Sequence, residues 1–197
     1  MKKLILWSLV LALLALCAPA LAESTEYKFD SQSGMLSSYS GPGGQVTVPA
    51  EIDGTPVFGL GVQTFNRNGE ITSLEIPEPI ALMDSSSVAS MPALTEVKLP
   101  DTLQYIGMSN FFDSPLLTEL TIPPRVLFIA QDCFLFMDGL QSITFTGPAP
   151  FISPFAALDR LRDVTYYVPD DQLEAYAQVL PEGANIQIGR ASCRERV

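Results

Sequence analysis

A chain of 197 residues that sets 22 acidic against 11 basic side chains, for a net charge of −11, and carries no histidine excludes several functions at once. Nucleic acid and anionic lipid both demand a basic footprint that is missing here, and without histidine there is no Ser–His or Cys–His nucleophile, nor the commonest general base and metal ligand. The length suits one domain with a substantial core.

Met1-Lys2-Lys3 is a basic start, and Leu4 to Leu16 is apolar but too short and wrongly flanked for a membrane span. Ala20-Leu21-Ala22 is a small-residue cleavage site. Residues 1–22 are therefore expected to be a signal peptide cleaved after Ala22. Lipid attachment at Cys17 is a competing reading, but it requires a small residue just before the cysteine, where Leu16 stands. Nothing later is long and apolar enough to cross a bilayer, so the mature chain is expected to be secreted or held at the cell surface. Losing Lys2 and Lys3 takes its charge to −13.

Residues 23–45 read as an N-terminal cap, in which "EYKFD" (26–30), a Ser33-Gly34 turn and "MLSSYSG" (35–41) form a hairpin. Residues 46–169 read as repeats. "ITSLEIP" (71–77), "LTEVKLP" (94–100), "LTELTIP" (117–123) and "LQSITFT" (140–146) follow one another at a constant step of 23 residues. Within each, apolar residues alternate with polar ones, as in Leu74 and Ile76, Val97 and Leu99, Leu120 and Ile122, and Ile143 and Phe145. Period 2 marks a short strand with one face inward. Between the strands the same step aligns Ile80, Leu103 and Val126, then Met83, Ile106 and Ile129, then Phe65, Val88, Phe111 and Phe134. "VTVP" (46–49) is the same unit displaced by five residues, the extra "AEIDG" providing a turn at Asp53-Gly54, and "VTYYVP" (164–169) adds a last strand.

A lone strand of this kind cannot bury its face, so successive turns must stack. The expectation is a β-rich solenoid holding one parallel sheet of about six short strands, roughly 24 Å across at ~4.8 Å per strand. Residues 170–188 read as a C-terminal cap. In "PDDQLEAYAQVL" (169–180), Asp170 or Asp171 would start a helix that packs Leu173, Tyr176, Ala177 and Leu180. "GRASCRERV" (189–197) crowds in Arg190, Arg194 and Arg196 and reads as a non-native tail or a truncated continuation.

The run Pro100 to Gly107, spaced Pro, two residues, Leu103, two residues, Ile-Gly, followed by Phe111 and "LTELTIP", resembles the BspA-type leucine-rich repeat family of secreted and cell-surface bacterial proteins. "VTVPAEIDGTPV" is similar to that family's first repeat and "YYVPDDQLEAYAQVL" to its terminal repeat and cap, so the resemblance covers about residues 26–185. It implies a leucine-rich repeat solenoid used for protein–protein contact or adhesion. The chain departs from the pattern at "SSSV" (85–88), where Val88 stands in the aromatic column.

Alternation directs Ser73, Glu75, Glu96, Lys98, Glu119, Thr121, Ser142, Thr144, Thr165 and Tyr167 outward. These positions are free of packing constraints and make the candidate binding face, with Tyr167 as its one aromatic anchor. The plainer reading is a polar face that merely keeps a sheet soluble. Asn66, Arg67 and Asn68 form a second, weaker loop candidate. Glu96 and Glu119 share one outward position on neighbouring strands, and paired carboxylates about 5–10 Å apart serve glycosidases. A flat, wet face lacks the burial that a general acid needs. Cys133 beside Phe134 reads as a packed core thiol, and with Cys193 far away in a different context no disulfide framework is indicated. No calcium-loop spacing occurs, so neither metal nor cofactor is expected. The function expected is a non-catalytic binding module for an extracellular protein or glycan. The alternatives are a structural module of a larger envelope protein and, less favoured, a carbohydrate-active enzyme.

Overall fold

The computed structural model describes residues 26–189; the segment 1–22 expected to be a signal peptide, with Cys17, and the arginine-rich tail beyond Gly189, with Cys193, lie outside the described residues. Strands β1 (Tyr27–Asp30) and β2 (Met35–Tyr39) form the expected antiparallel hairpin. Its turn is tied by the Asp30 carboxylate, which accepts the Ser33 hydroxyl at 2.7 Å and the Gln32 N–H at 3.0 Å, with Gly34 at φ 69°. The Ser33 hydroxyl holds that carboxyl below its ordinary range. Tyr27 and Tyr39 pack ring on ring at 4.9 Å, and Tyr39 continues to Phe65 at 5.2 Å, which fixes the hairpin to the first turn of the solenoid.

Next come β3 (Gly44–Thr47) and the small hairpin β4 (Glu51–Ile52) to β5 (Thr55–Pro56), which turns at Asp53 and Gly54, both with positive φ. From there each turn contributes a long and a short strand. The long ones are β7 (Ile71–Glu75), β9 (Glu96–Lys98), β11 (Glu119–Ile122), β13 (Ser142–Phe145) and β15 (Thr165–Val168). The short ones are β6 (Gly59–Leu60), β8 (Leu82–Met83), β10 (Tyr105–Ile106), β12 (Phe128–Ile129) and β14 (Phe151–Ile152). Their registers carry the repeat step directly, as in Glu119 opposite Ser142, Ser142 opposite Thr165, and Tyr105 opposite Phe128. Val46 faces Leu74, so the five-residue displacement of the first unit is absorbed by the β4–β5 hairpin.

Two features differ from the single sheet of six expected. The short strands build a sheet of their own, in the order β1-β2-β6-β8-β10-β12-β14. The long strands divide into two ladders, β3-β7-β9 and β11-β13-β15-β16, where β16 (Asn185–Ile188) adds a further parallel strand. No ladder pair joins β9 to β11.

The third side of each turn is a tight loop that repeats its backbone. Gln63, Ser86, Ser109 and Asp132 all have φ between 55° and 61°, and Arg67, Ser90, Asp113 and Phe136 lie between 51° and 61°. This left-handed conformation is uncommon for residues with a Cβ. Here it turns main-chain N–H groups toward the next loop: Gln63 donates to the Ser85 carbonyl, Ser86 to Met108 and Ser109 to Gln131, at 2.7–3.1 Å. The divergent "SSSV" segment keeps the same form, with Val88 fully buried in the column of Phe65, Phe111 and Phe134.

Inside the three sides, the aligned apolar residues form one continuous core. Beside the aromatic column runs a buried polar one, in which Thr64, Ser87, Asn110 and Cys133 step by the same 23 residues. Thr64 Oγ1 donates to the Leu36 and Gly61 carbonyls, and Asn110 Nδ2 donates to those of Asp84 and Gly107, both at 2.9 Å. The column thereby pairs carbonyls that the bends would otherwise leave buried and unpaired.

At the C-terminus a 3-10 turn (Asp170–Gln172) leads into helix α1 (Leu173–Val179). Neither Asp170 nor Asp171 caps it: Pro169 precedes the turn, and no side-chain cap bond forms. The face also differs from the expected one. Tyr176 and Leu180 are buried, whereas Leu173 and Ala177 face outward, the helix being turned so that the Tyr176 ring meets Phe145. Tyr176 closes the core by packing at a tilt on Phe145, with ring centroids 4.8 Å apart, while its hydroxyl donates to the carbonyls of Gly147 and Pro148.

Candidate binding face of the long strands

Because side chains alternate along a strand, the polar columns face away from the core. Glu75, Glu96, Lys98, Glu119 and Thr121 are exposed, as expected from their positions. Ser73, Ser142, Thr144, Thr165 and Tyr167 are only half-buried, held between neighbours in the ladder.

The structure separates these ten residues into two groups. Glu75, Glu96, Lys98, Glu119 and Thr121 line one open groove of about 780 Å³ across β7, β9 and β11. Ser73 borders it, donating its hydroxyl to Glu96 at 3.3 Å, and Lys98 reaches the same carboxylate at 3.8 Å. Both Lys98 and Glu96 are more than half exposed, so this ion pair contributes little to stability. Ser142, Thr144, Thr165 and Tyr167 lie on the other ladder. There Tyr167 stands opposite Thr144 on one side and Gln187 on the other, and Asn185 Nδ2 donates to Thr165 Oγ1 at 3.0 Å.

The groove also uses residues that sequence reasoning did not place on the face. Glu78, Thr95 and Thr118 line it from just outside the strands. Thr95 and Thr118 belong to one 23-residue column, but alternation counted back from the outward Glu96 and Glu119 directs them inward, whereas both lie just before their strands and are exposed. The paired-acid geometry assumed for Glu96 and Glu119 rested on a continuous ladder, and the ladder is interrupted between their two strands.

The loop candidate resolves differently. Asn68 is committed to the fold, its Oδ1 accepting the N–H groups of Glu70 and Ile71, both at 3.0 Å. Arg67 is exposed at one of the repeating left-handed positions. Cys133 is fully buried, and its thiol donates to the Gly107 carbonyl at 3.2 Å. Burial pushes that thiol up to about 12, which removes the thiolate a nucleophile requires. Among the described residues no group of His, Cys, Asp and Glu is placed to hold a metal ion, and no helix is long and apolar enough to cross a membrane.

A second surface feature was missed altogether. On the short-strand sheet Tyr105, Phe128 and Phe151 stack ring over ring at 5.3 and 5.2 Å, within 11° of parallel. The signal was present as a column at the repeat step, but two-residue strands are too short for alternation to reveal which face it occupies.

Short parallel strands stacked at a constant step, with apolar columns inside and polar columns outside, define a leucine-rich repeat solenoid. More narrowly, this chain belongs to the BspA-type leucine-rich repeat family: the family profile described as "BspA type Leucine rich repeat region (6 copies)" matches residues 59–165. A leucine-rich repeat protein from Bacteroides capillosus is similar in structure over 61% of this chain and 93% of its own, with 23% identity and a TM-score of 0.51. A T. pallidum leucine-rich repeat protein is similar over 88% and 99%, with 17% identity and a TM-score of 0.52. A leucine-rich cell surface protein from Faecalibacterium prausnitzii matches 84% of this chain and 38% of its own, at 17% identity and a TM-score of 0.53. At these identities the likeness is one of fold. No curated protein matches the sequence at a significant level.

Proposed function

We propose that this protein is a non-catalytic binding module, secreted or attached to the cell surface, that holds an extracellular protein or glycan on the outward face of its long strands. The observation that carries this reading is the groove of about 780 Å³ on that face, open to solvent and lined by strand residues that the core does not constrain. A site built on stacked strands is preorganised, because neighbouring turns fix the spacing of its side chains. The basic, apolar and small-residue regions of residues 1–22 support export, and the fold neighbour described as a cell surface protein agrees with a surface location. The absence of histidine from the whole chain and the raised, buried thiol of Cys133 support a role without catalysis.

The test is binding of the purified protein to a panel of extracellular matrix proteins, mucins and bacterial glycans. It is run beside a variant carrying Glu75→Gln, Glu96→Gln, Glu119→Gln and Tyr167→Ala. A specific partner lost in the folded variant supports the face as the functional surface. Undiminished affinity in that variant sinks the assignment, and turnover of any glycan on the panel sinks the non-catalytic reading.

A further inference from the structure

We propose that the opening between β9 and β11 is a docking slot for an extended lysine- or arginine-rich segment of a partner protein. The inference rests on the binding-face reading and gives that face a ligand class.

Strands β9 and β11 remain neighbours, with Cα atoms within 8 Å of one another, and what opens between them is a break in an otherwise repeating set of hydrogen bonds, not a space for another strand. Thr95 N–H donates to the Thr72 carbonyl at 2.8 Å, Gln141 N–H to Thr118 at 2.8 Å and Thr165 N–H to Gln141 at 2.9 Å. The missing member of that series is Thr118 N–H to the Thr95 carbonyl. At the far end of the strands, Val48 N–H donates to the Glu75 carbonyl and Ile76 N–H to that of Lys98, both at 2.9 Å. Leu99 N–H to the Thr121 carbonyl does not follow. Thr95, Leu99, Thr118 and Thr121 therefore present main-chain donors and acceptors with no partner across the junction, and all four line the groove.

Charge selects what fits there. Four carboxylates, Glu75, Glu78, Glu96 and Glu119, line the groove against the single ammonium of Lys98, which is already directed at Glu96. Glu75, Glu78 and Glu119 have neither a hydrogen-bond nor an ion-pair partner for their side chains among the described residues. Carboxylates are acceptors only. A neutral sugar would leave their charge uncompensated, and an anionic one would be repelled. An extended basic peptide laid along the groove supplies cations for the rim, aliphatic stems to lie against the half-buried Leu99, and N–H and C=O groups for the unpaired main-chain groups at the junction.

The test uses the whole protein and a fluorescent hexapeptide of alternating lysine and threonine, with its lysine-acetylated form as the neutral control. Titrations run at about 20 and about 300 mM salt. Binding should be lost on acetylation and weakened by salt. Glu119→Gln and Glu75→Gln should each weaken it about three- to fivefold, the range of an exposed charge pair. Glu182→Gln removes an equal charge from an exposed site outside the groove and should leave binding unchanged. Amide exchange at Leu99 and Thr118 should slow on peptide binding. Equal weakening by Glu182→Gln, or unaltered exchange at those two amides, overturns the slot, because either result describes general attraction to an acidic surface. If a partner protein is lost in the four-site variant while the basic peptide fails to bind, the ligand class falls and the binding face stands. If neither binds, both fall. Capture of a neutral glycan without the peptide also overturns the basic-segment assignment.

Discussion

Ser87 and Asn110, 23 residues apart and both fully buried, are joined by a 2.8 Å hydrogen bond from the serine hydroxyl to Asn110 Oδ1. The same oxygen accepts the Val88 N–H at 3.1 Å, while Nδ2 donates to the carbonyls of Asp84 and Gly107. One amide thus satisfies groups on two successive turns. Asn110→Ala removes these four bonds together with a longer one to the Met83 carbonyl at 3.4 Å; the Gly107 carbonyl keeps the Cys133 thiol, whereas the buried Ser87 hydroxyl and Val88 N–H lose the partner they share. A buried orphaned group costs about 1–3 kcal/mol, so the variant should lose at least about 2 kcal/mol, measured by urea denaturation. A loss below about 0.5 kcal/mol would show that water replaces the amide and that the column does not clamp the turns.

Leu120 and Thr121 test the inward and outward columns side by side. Leu120 is 2% exposed and packs in the core, whereas Thr121 faces the groove. Leu120→Ala should cost about 2–5 kcal/mol through lost burial and the cavity left behind. Thr121→Ala should stay within about 0.5 kcal/mol, as surface changes usually do. Comparable losses at the two sites would mean that the strand does not present alternate faces to core and solvent.

Alkaline pH provides a third test. Burial raises Tyr27, Tyr166 and Tyr176 as well as Cys133, with Tyr166 and Cys133 each pushed up to about 12. In the unfolded chain the thiol releases its proton near pH ~8.5 and the phenols near ~10. Above those values the unfolded state sheds protons that the folded state retains, so stability falls as pH rises. The stabilisation is fully present below about pH 8 and should decline between about pH 9 and pH 12, followed by thermal denaturation. Native protein at pH ~8 should also resist iodoacetamide at Cys133 and react only once unfolded. Rapid native-state alkylation there would show that the column opens.

How much of this was legible in the sequence depends on which side of each strand a residue occupies. Leu74, Val97, Leu120 and Ile143 must be apolar because they stack in the core, so the repeat and the family could be read from their spacing. The second sheet was not legible, because Tyr105–Ile106 and Phe128–Ile129 are too short to display a period. Strand β16 was hidden for another reason: Thr165 pairs with Asn185 at a step shorter than the repeat, since α1 replaces the usual loop. The outward columns were placed by alternation, yet the groove was not. "LTEVKLP" and "LTELTIP" are nearly identical and predict an unbroken ladder, whereas the separation of β9 from β11 is decided by main-chain pairing that no side-chain pattern encodes.

The stacked rings of Tyr105, Phe128 and Phe151 form the last test, on the side of the molecule away from the proposed groove. Phe128 is the middle ring and touches both others. Phe128 spends both of its faces on its neighbours and Tyr105 and Phe151 one each, so the only part of the ladder open as a flat surface is its Phe151 end, where the ring is 59% exposed. The ladder's role is to hold successive short strands in register, since a two-residue strand has few main-chain bonds of its own. Aromatic pairs contribute about 0.5–1.5 kcal/mol each beyond their buried area. Phe128→Ala, which breaks two, should lower stability by about 2–4 kcal/mol in denaturant melts, while Phe151→Ala at the exposed end of the ladder breaks one and should cost about half as much. Neither should change affinity for a ligand bound on the long strands, once the folded fraction is matched. Unchanged stability in Phe128→Ala combined with lost binding would reverse the assignment and make the aromatic ladder the recognition surface.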